Sequence, residues 1–118
     1  MSEPTRAEIW WVEFDPAVGS EANKTRPGVV VSSSDFDVVK TRLVVPLTSW
    51  QARFIVRPHR VFVSATDSNG LEVDSTADVL HLRSLSVQRF RLLMGVISHD
   101  DLAAIQRAIL TVLGMDPQ

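Results

Sequence analysis

The chain has 118 residues, 45% of them hydrophobic and 22% charged, with a formal net charge of -2. That is ordinary globular composition, and residues 1–118 are read as one domain with its own core. With no cysteine present, disulfides, thiolate nucleophiles and cysteine-based metal sites are excluded. The N-terminal stretch Met1 to Arg6 lacks the charged-then-apolar layout of a signal peptide, and no apolar run approaches a membrane span. The expectation is a soluble, cytoplasmic protein with no membrane partner.

The first element is Glu8 to Phe14, rich in aromatic and β-branched residues and stopped by Asp15-Pro16, hence a strand. It is apolar on both faces, Ile9 and Trp11 on one and Trp10, Val12 and Phe14 on the other. Such a strand is either internal to a barrel or turned toward a partner. A polar loop follows to Thr25. There Gly19 can take backbone angles closed to other residues, while Pro27 forces Arg26 into an extended conformation. Val29, Val30 and Val31 are the stiff run of a buried strand from about Arg26 to Ser33. Arg26 is thus either a surface arginine beside a turn or a side chain held at a strand edge.

Ser34 to Asp37 reads as a turn or a single helical turn, and Thr41 to Thr48 as a third strand. In it Pro46 marks an edge, a bulge or the strand's end. Ser49 to Pro58 is a loop or irregular hairpin carrying Trp50, Arg53 and Arg57, and His59 to Val63 a short strand. Asp67-Ser68-Asn69-Gly70 signals a turn, and Ala77 to Arg83 alternates like a strand. Ser86 to Phe90 suits a brief helical turn and Leu92 to Ile97 a last strand. The C-terminal helix is the clearest element. Ser98 fits its N-cap, Asp100 and Asp101 its first turn and Gly114 its end, while Leu102, Ile105, Ile109, Val112 and Leu113 recur at helical spacing. Short strands followed by one helix predict a mainly β, α+β fold: a small, strongly bent antiparallel barrel with a C-terminal helix.

Charge is segregated along the chain. From residue 38 to 63 the charged side chains are Lys40, Arg42, Arg53, Arg57 and Arg60, with no acid; from 64 to 81 they are Asp67, Glu72, Asp74 and Asp78, with no Lys or Arg. This pattern either builds a basic face on an acidic protein or pairs across a hairpin.

Familiar catalytic motifs are missing: no glycine-rich phosphate loop, no Gly-x-Ser-x-Gly elbow and no metal-ligand spacing among His59, His81 and His99. No metal or cofactor is expected. His59 and His81 fall on neighbouring expected strands, either as a two-histidine acid/base pair or as polar positions on half-exposed strands, and the second reading expects neither to be an essential acid or base. What remains is arginines, hydroxyls and the loop carboxylate Glu21. Arginine's planar fork matches phosphate oxygens and stabilises developing charge on a phosphoryl group. RNA supplies its own 2′-hydroxyl nucleophile, so its cleavage needs orientation, charge stabilisation and proton transfer but no protein nucleophile. A site of Arg26, Thr48 and Glu21 is poor for proteolysis and adequate for RNA cleavage.

These residues resemble a known family. Asp15-Pro16, Gly19-Ser20-Glu21 and Arg26-Pro27 leading into Val29-Val30-Val31-Ser32 look like the signature of the MazF/PemK toxin endoribonucleases of type II toxin–antitoxin systems. Val44-Val45-Pro46-Leu47-Thr48-Ser49 is similar to that family's strand ending in Pro-Leu-Thr. A weaker block runs from Gly70-Leu71 through Asp74-Ser75 to Leu82-Arg83-Ser84-Leu85.

The resemblance implies an SH3-like barrel forming a homodimer, which cuts single-stranded RNA at short sequences without metal and is held by a cognate antitoxin. By position Arg26 matches the family's catalytic arginine, Thr48 its threonine, and Glu21 a loop acid used by some members. Lys24, Ser49, Arg53, Arg57, Arg60, His81 and Arg83 are the accompanying candidate RNA contacts. Two departures bear on base preference: Leu80-His81 stands where the family has an acid or Asp followed by Gln, and Ala22 where Gln often follows the loop glutamate.

The antitoxin is expected to present an acidic, disordered, partly hydrophobic segment to Arg26 and the Arg53–Arg60 region, anchored by Trp50 and one of Trp10 and Trp11. The alternative functions are a non-catalytic toxin on the same barrel that poisons a protein such as DNA gyrase, and a plain RNA-binding module.

Overall fold

The computed structural model describes residues 2–15 and 24–115, without the side chains of Asp15 and Lys24. The β-branched and aromatic runs become seven strands: β1 (Glu8–Asp15), β2 (Lys24–Val30), β3 (Thr41–Ser49), β4 (Arg60–Val63), β5 (Ser75–Asp78), β6 (Arg83–Ser86) and β7 (Phe90–Val96), followed by the helix α1 (His99–Val112). Short 3-10 turns lie at Ser34–Phe36, Ala52–Val56, Val79–His81 and Val87–Arg89. Every pairing is antiparallel, in the order β4-β5-β3-β2-β1-β7, with β6 also paired to β3. This is the expected bent antiparallel sheet with a terminal helix. Its ladder is not closed, since β4 and β7 end the path without pairing to each other among the described residues.

Two apolar clusters explain why β1, β2 and β3 read as nearly continuous hydrophobic runs. Ile9, Val29, Val45, Leu47 and Val63 pack on one face with Leu102, Ile105 and Ala108 of α1. Trp10, Val12, Phe14, Val30, Val44, Leu85 and Phe90 fill the other, where Trp10 meets Phe90 edge-on at 6.1 Å. Trp10 is therefore core, whereas Trp11 is 40% exposed.

Several local expectations are corrected. Ala77 to Arg83 is not one strand. β5 ends at Asp78, whose carboxylate caps a 3-10 turn by accepting from Leu80 N at 3.2 Å, and β6 begins only at Arg83. Pro46 lies inside β3 rather than at its end. It faces Gly28 of β2 where the other edge of β3 changes from β6 to β5 as partner, so that edge is already interrupted there. On α1, capped by Ser98 as expected, Leu102 and Ile105 are buried, but Val112 and Leu113 are exposed.

The basic segment is not one face. Arg42 is 1% exposed, donating through Nε to Pro4 O at 2.7 Å and through Nη1 to Val39 O at 2.6 Å. Lys40 pairs with Glu3 at 2.8 Å, and Arg60 with Asp78 across the β4–β5 hairpin at 3.1 Å. Arg42 is thus a structural tie between the N-terminal segment and β3. Arg42→Met, which keeps the aliphatic stem but strands those carbonyls, is expected to cost about 2 kcal/mol. Denaturant unfolding reads this directly, and an unchanged midpoint would remove the role.

Candidate active site

The site is built by the β2–β3 register. Gly28 faces Pro46 and Val29 faces Val45. Beyond the Gly28–Pro46 pair Arg26 lies two residues back along β2 and Thr48 two residues on along β3, where β3 has taken β5 as its partner. Pro27, just after Arg26, holds that arginine extended, as the sequence indicates. Both side chains are half-buried. Both also line two adjoining cavities, making one cleft with this pair at its centre.

The larger cavity, about 360 Å³, is lined by Arg26 and Thr48 together with Trp11, Ser49, Glu72 and Met94. Its walls are mainly apolar, with Trp11 supplying an exposed aromatic face suited to base stacking. The smaller, about 250 Å³, adds Arg60, Asp78, His81 and Arg83 to the same pair. Three arginines and a threonine hydroxyl around so small a space suit an anion with planar oxygens.

Of the sequence-derived candidates, the cleft therefore gathers Arg26, Thr48, Ser49, Arg60, His81 and Arg83. Arg53 and Arg57 do not line it; they are exposed on and after the 3-10 turn Ala52–Val56. That turn is tied to the site indirectly, since Arg60 stacks over the Phe54 ring at 4.1 Å and Arg53 over the same ring at 5.3 Å. Glu21 lies outside the described residues, as does the side chain of Lys24. Trp50 packs edge-on against Phe62 and Phe54 at 5.0 and 5.9 Å.

Sequence reasoning missed Trp11, Glu72 and Asp78 as cleft residues. It also placed Asp78 and His81 on one alternating strand, which would separate them. The 3-10 turn instead folds His81 back, so that its Nδ1 lies 2.8 Å from Asp78 Oδ2. Asp78 is 5% exposed and holds Arg60 through the same oxygen. In the sequence Asp78, a residue type that caps turns through its own carboxylate, is compatible with a strand end but does not locate the turn. Among the described residues no group of three or more His, Cys, Asp or Glu side chains could hold a metal, and no helix is long and apolar enough to cross a membrane.

Comparison with known proteins adds four findings. A family model described as PemK-like, MazF-like toxin of type II toxin–antitoxin system matches residues 5–113. Endoribonuclease MazF9 of Mycobacterium tuberculosis is 43% identical over 110 residues, covering 88% of this chain and 91% of the relative. Among solved structures, MazF of Deinococcus radiodurans superposes with a TM-score of 0.77 at 26% identity, covering 98% of this chain and 100% of that one. A mycobacterial endoribonuclease in complex with its cognate antitoxin matches with a TM-score of 0.73 at 18% identity over 94% of this chain and 95% of that one, a likeness of fold.

Proposed function

The chain belongs to the PemK-like, MazF-like toxin family of type II toxin–antitoxin systems, and from that premise we propose that it is an endoribonuclease. It cuts single-stranded RNA at a preferred sequence in the cytoplasm, by attack of the 2′-hydroxyl and without metal. The observation that carries this reading is the Arg26–Thr48 pair at the centre of a cleft walled by Arg60 and Arg83. Arg26 stabilises charge on the phosphoryl oxygens, and Thr48 adds a hydroxyl donor to the same group. Glu21 remains a proposed further member. Trp11, Ser49 and Arg83 are placed to contact the bases and phosphates on either side. Incubating the purified protein with mixed single-stranded RNA in EDTA and mapping the ends tests this. Cuts leaving 2′,3′-cyclic phosphates are expected; intact RNA would remove the reading. Poisoning of DNA gyrase is not favoured, since the curated relatives carry endoribonuclease names.

The partner follows from the same chemistry. A cognate antitoxin with an acidic, disordered segment offers carboxylates to arginines that otherwise hold phosphates. The fold's likeness to an endoribonuclease solved with its cognate antitoxin supports it. Arg53, Arg57 and the apolar Ile55 and Val56, each 80% exposed, extend a surface of the right character beside the cleft. An acidic peptide of that kind and an uncleavable RNA analogue are expected to exclude each other in a fluorescence titration. A ternary complex at full occupancy of both would point to inhibition from a distance. A homodimer is also part of the proposal, with the apolar groove lined by Val31, Leu43, Leu82, Ile109 and Leu110 open to a second copy; light scattering reports it.

A further inference from the structure

Neither Arg26 nor Thr48 is suited to accept a proton near neutral pH, since a guanidinium stays charged and a hydroxyl is a weak base. Yet attack by the 2′-hydroxyl needs its proton removed. Within the described cleft the imidazole of His81 offers a ring nitrogen whose lone pair can take up that proton.

That imidazole is held in a defined state. Asp78 caps the turn with Oδ1 and receives both Arg60 Nη2 and His81 Nδ1 on Oδ2, at 3.1 and 2.8 Å. As a carboxylate it only accepts, so Nδ1 carries the proton and Nε2 keeps its lone pair. Asp78 is buried while the His81 side chain is 72% exposed, so the anchor is fixed and the open nitrogen accessible. A base oriented by a buried carboxylate is the arrangement that recurs where a hydroxyl must be activated.

Building on the ribonuclease reading, we propose that His81, oriented by Asp78, is the general base for the 2′-hydroxyl. The proton of the 2′-oxygen passes to Nε2 as that oxygen bonds to phosphorus. The P–O5′ bond breaks with its electron pair on O5′, which takes a proton from water, and the imidazolium returns its proton to solvent. Arg26 and Thr48 hold the phosphoryl group meanwhile, and Asp78 is a positioning residue. Among the described residues, the charged groups lining the cavity with the imidazole are Asp78 of β5, Arg60 of β4, Arg26 of β2 and Arg83 of β6. On the side of α1 the turn meets Gln106, Ile109 and Leu110 at Leu82, none of them charged.

The test is the pH dependence of kcat/KM on a cleavable RNA, for the parent, His81→Gln and Asp78→Asn, each first shown to be folded by its thermal transition. The parent is expected to gain activity along a rising limb as its base loses its proton, and then to level off. His81→Gln should lose at least about tenfold at neutral pH and lose the limb with it. Asp78→Asn should lower kcat with KM little changed, because the imidazole stays in the cleft but is no longer held with Nδ1–H on a carboxylate. An RNA with 2′-deoxyribose at the scissile position should bind parent and His81→Gln alike. A drop in that affinity matching the drop in rate would make His81 a binding contact and overturn the proposal. So would a His81→Gln protein that keeps both rate and limb while Arg26→Ala is inactive. A parent that cuts no RNA at any pH would instead strike the ribonuclease reading itself.

Discussion

Arg26→Ala is expected to leave a folded protein that cuts RNA about 10²–10³ times more slowly, the usual loss when one donor to a developing anion is removed. With Thr48 the side chain lines both cavities of the cleft. It is half-buried in a wall that excludes some water, which strengthens its charge–charge interactions. Thr48→Ala should lose activity to a similar degree, while Thr48→Ser keeps the hydroxyl and most of the rate. Arg26→Lys separates charge from shape: a point charge cannot reproduce the planar fork, so recovery over alanine should be small. Stability should hardly change in any of these, because neither Arg26 nor Thr48 belongs to either buried apolar cluster. A folded Arg26→Ala protein cutting within a few-fold of the parent would refute the assignment.

The strands carrying this pair were legible because each has a local cause. Pro27 sets Arg26, and the paired valines on β2 and β3 announce strands buried on both faces. The cleft's second half was not legible. The sequence pattern reads Asp78 and His81 into one strand, and only the capping bond donated by Leu80 N to Asp78 Oδ1 reveals the turn that joins them. The segregated charge leaves both a basic face and pairing across a hairpin open for Arg42 and Arg60. The first is drawn inside by backbone carbonyls of residues 4 and 39, and the second is partnered by an acid eighteen residues away. Long-range pairing of this kind has no period to betray it.

Gly95→Ala is expected to act in the opposite way to Arg26→Ala, destabilising the fold strongly while leaving the chemical groups in place. A Cβ at Gly95 would lie 2.3 Å from Ser68 O and 2.5 Å from Asn69 C, both backbone atoms that cannot rotate aside. The turn they belong to has little freedom to retreat. Val96 N donates to Ser68 O at 2.9 Å, and Asn69, 2% exposed, accepts from Thr66 N and Leu71 N and donates to Ser64 O. Gly70 completes the contact from the other side, with φ of +73° and a would-be Cβ 2.1 Å from Met94 O. Forcing the two segments apart should cost about 3 kcal/mol, the upper end for overpacking, and lower Tm by on the order of 10 °C. The turn leads directly into Leu71, Glu72 and Val73, which with Met94 wall the larger cavity. KM should therefore rise, while kcat, set by groups on β2 and β3 and by His81, falls less. A Gly95→Ala protein that melts within about 2 °C of the parent, when several degrees per kcal/mol are expected, would show that this turn is free to yield. The larger cavity would then lack the rigid wall that sequence-selective binding needs.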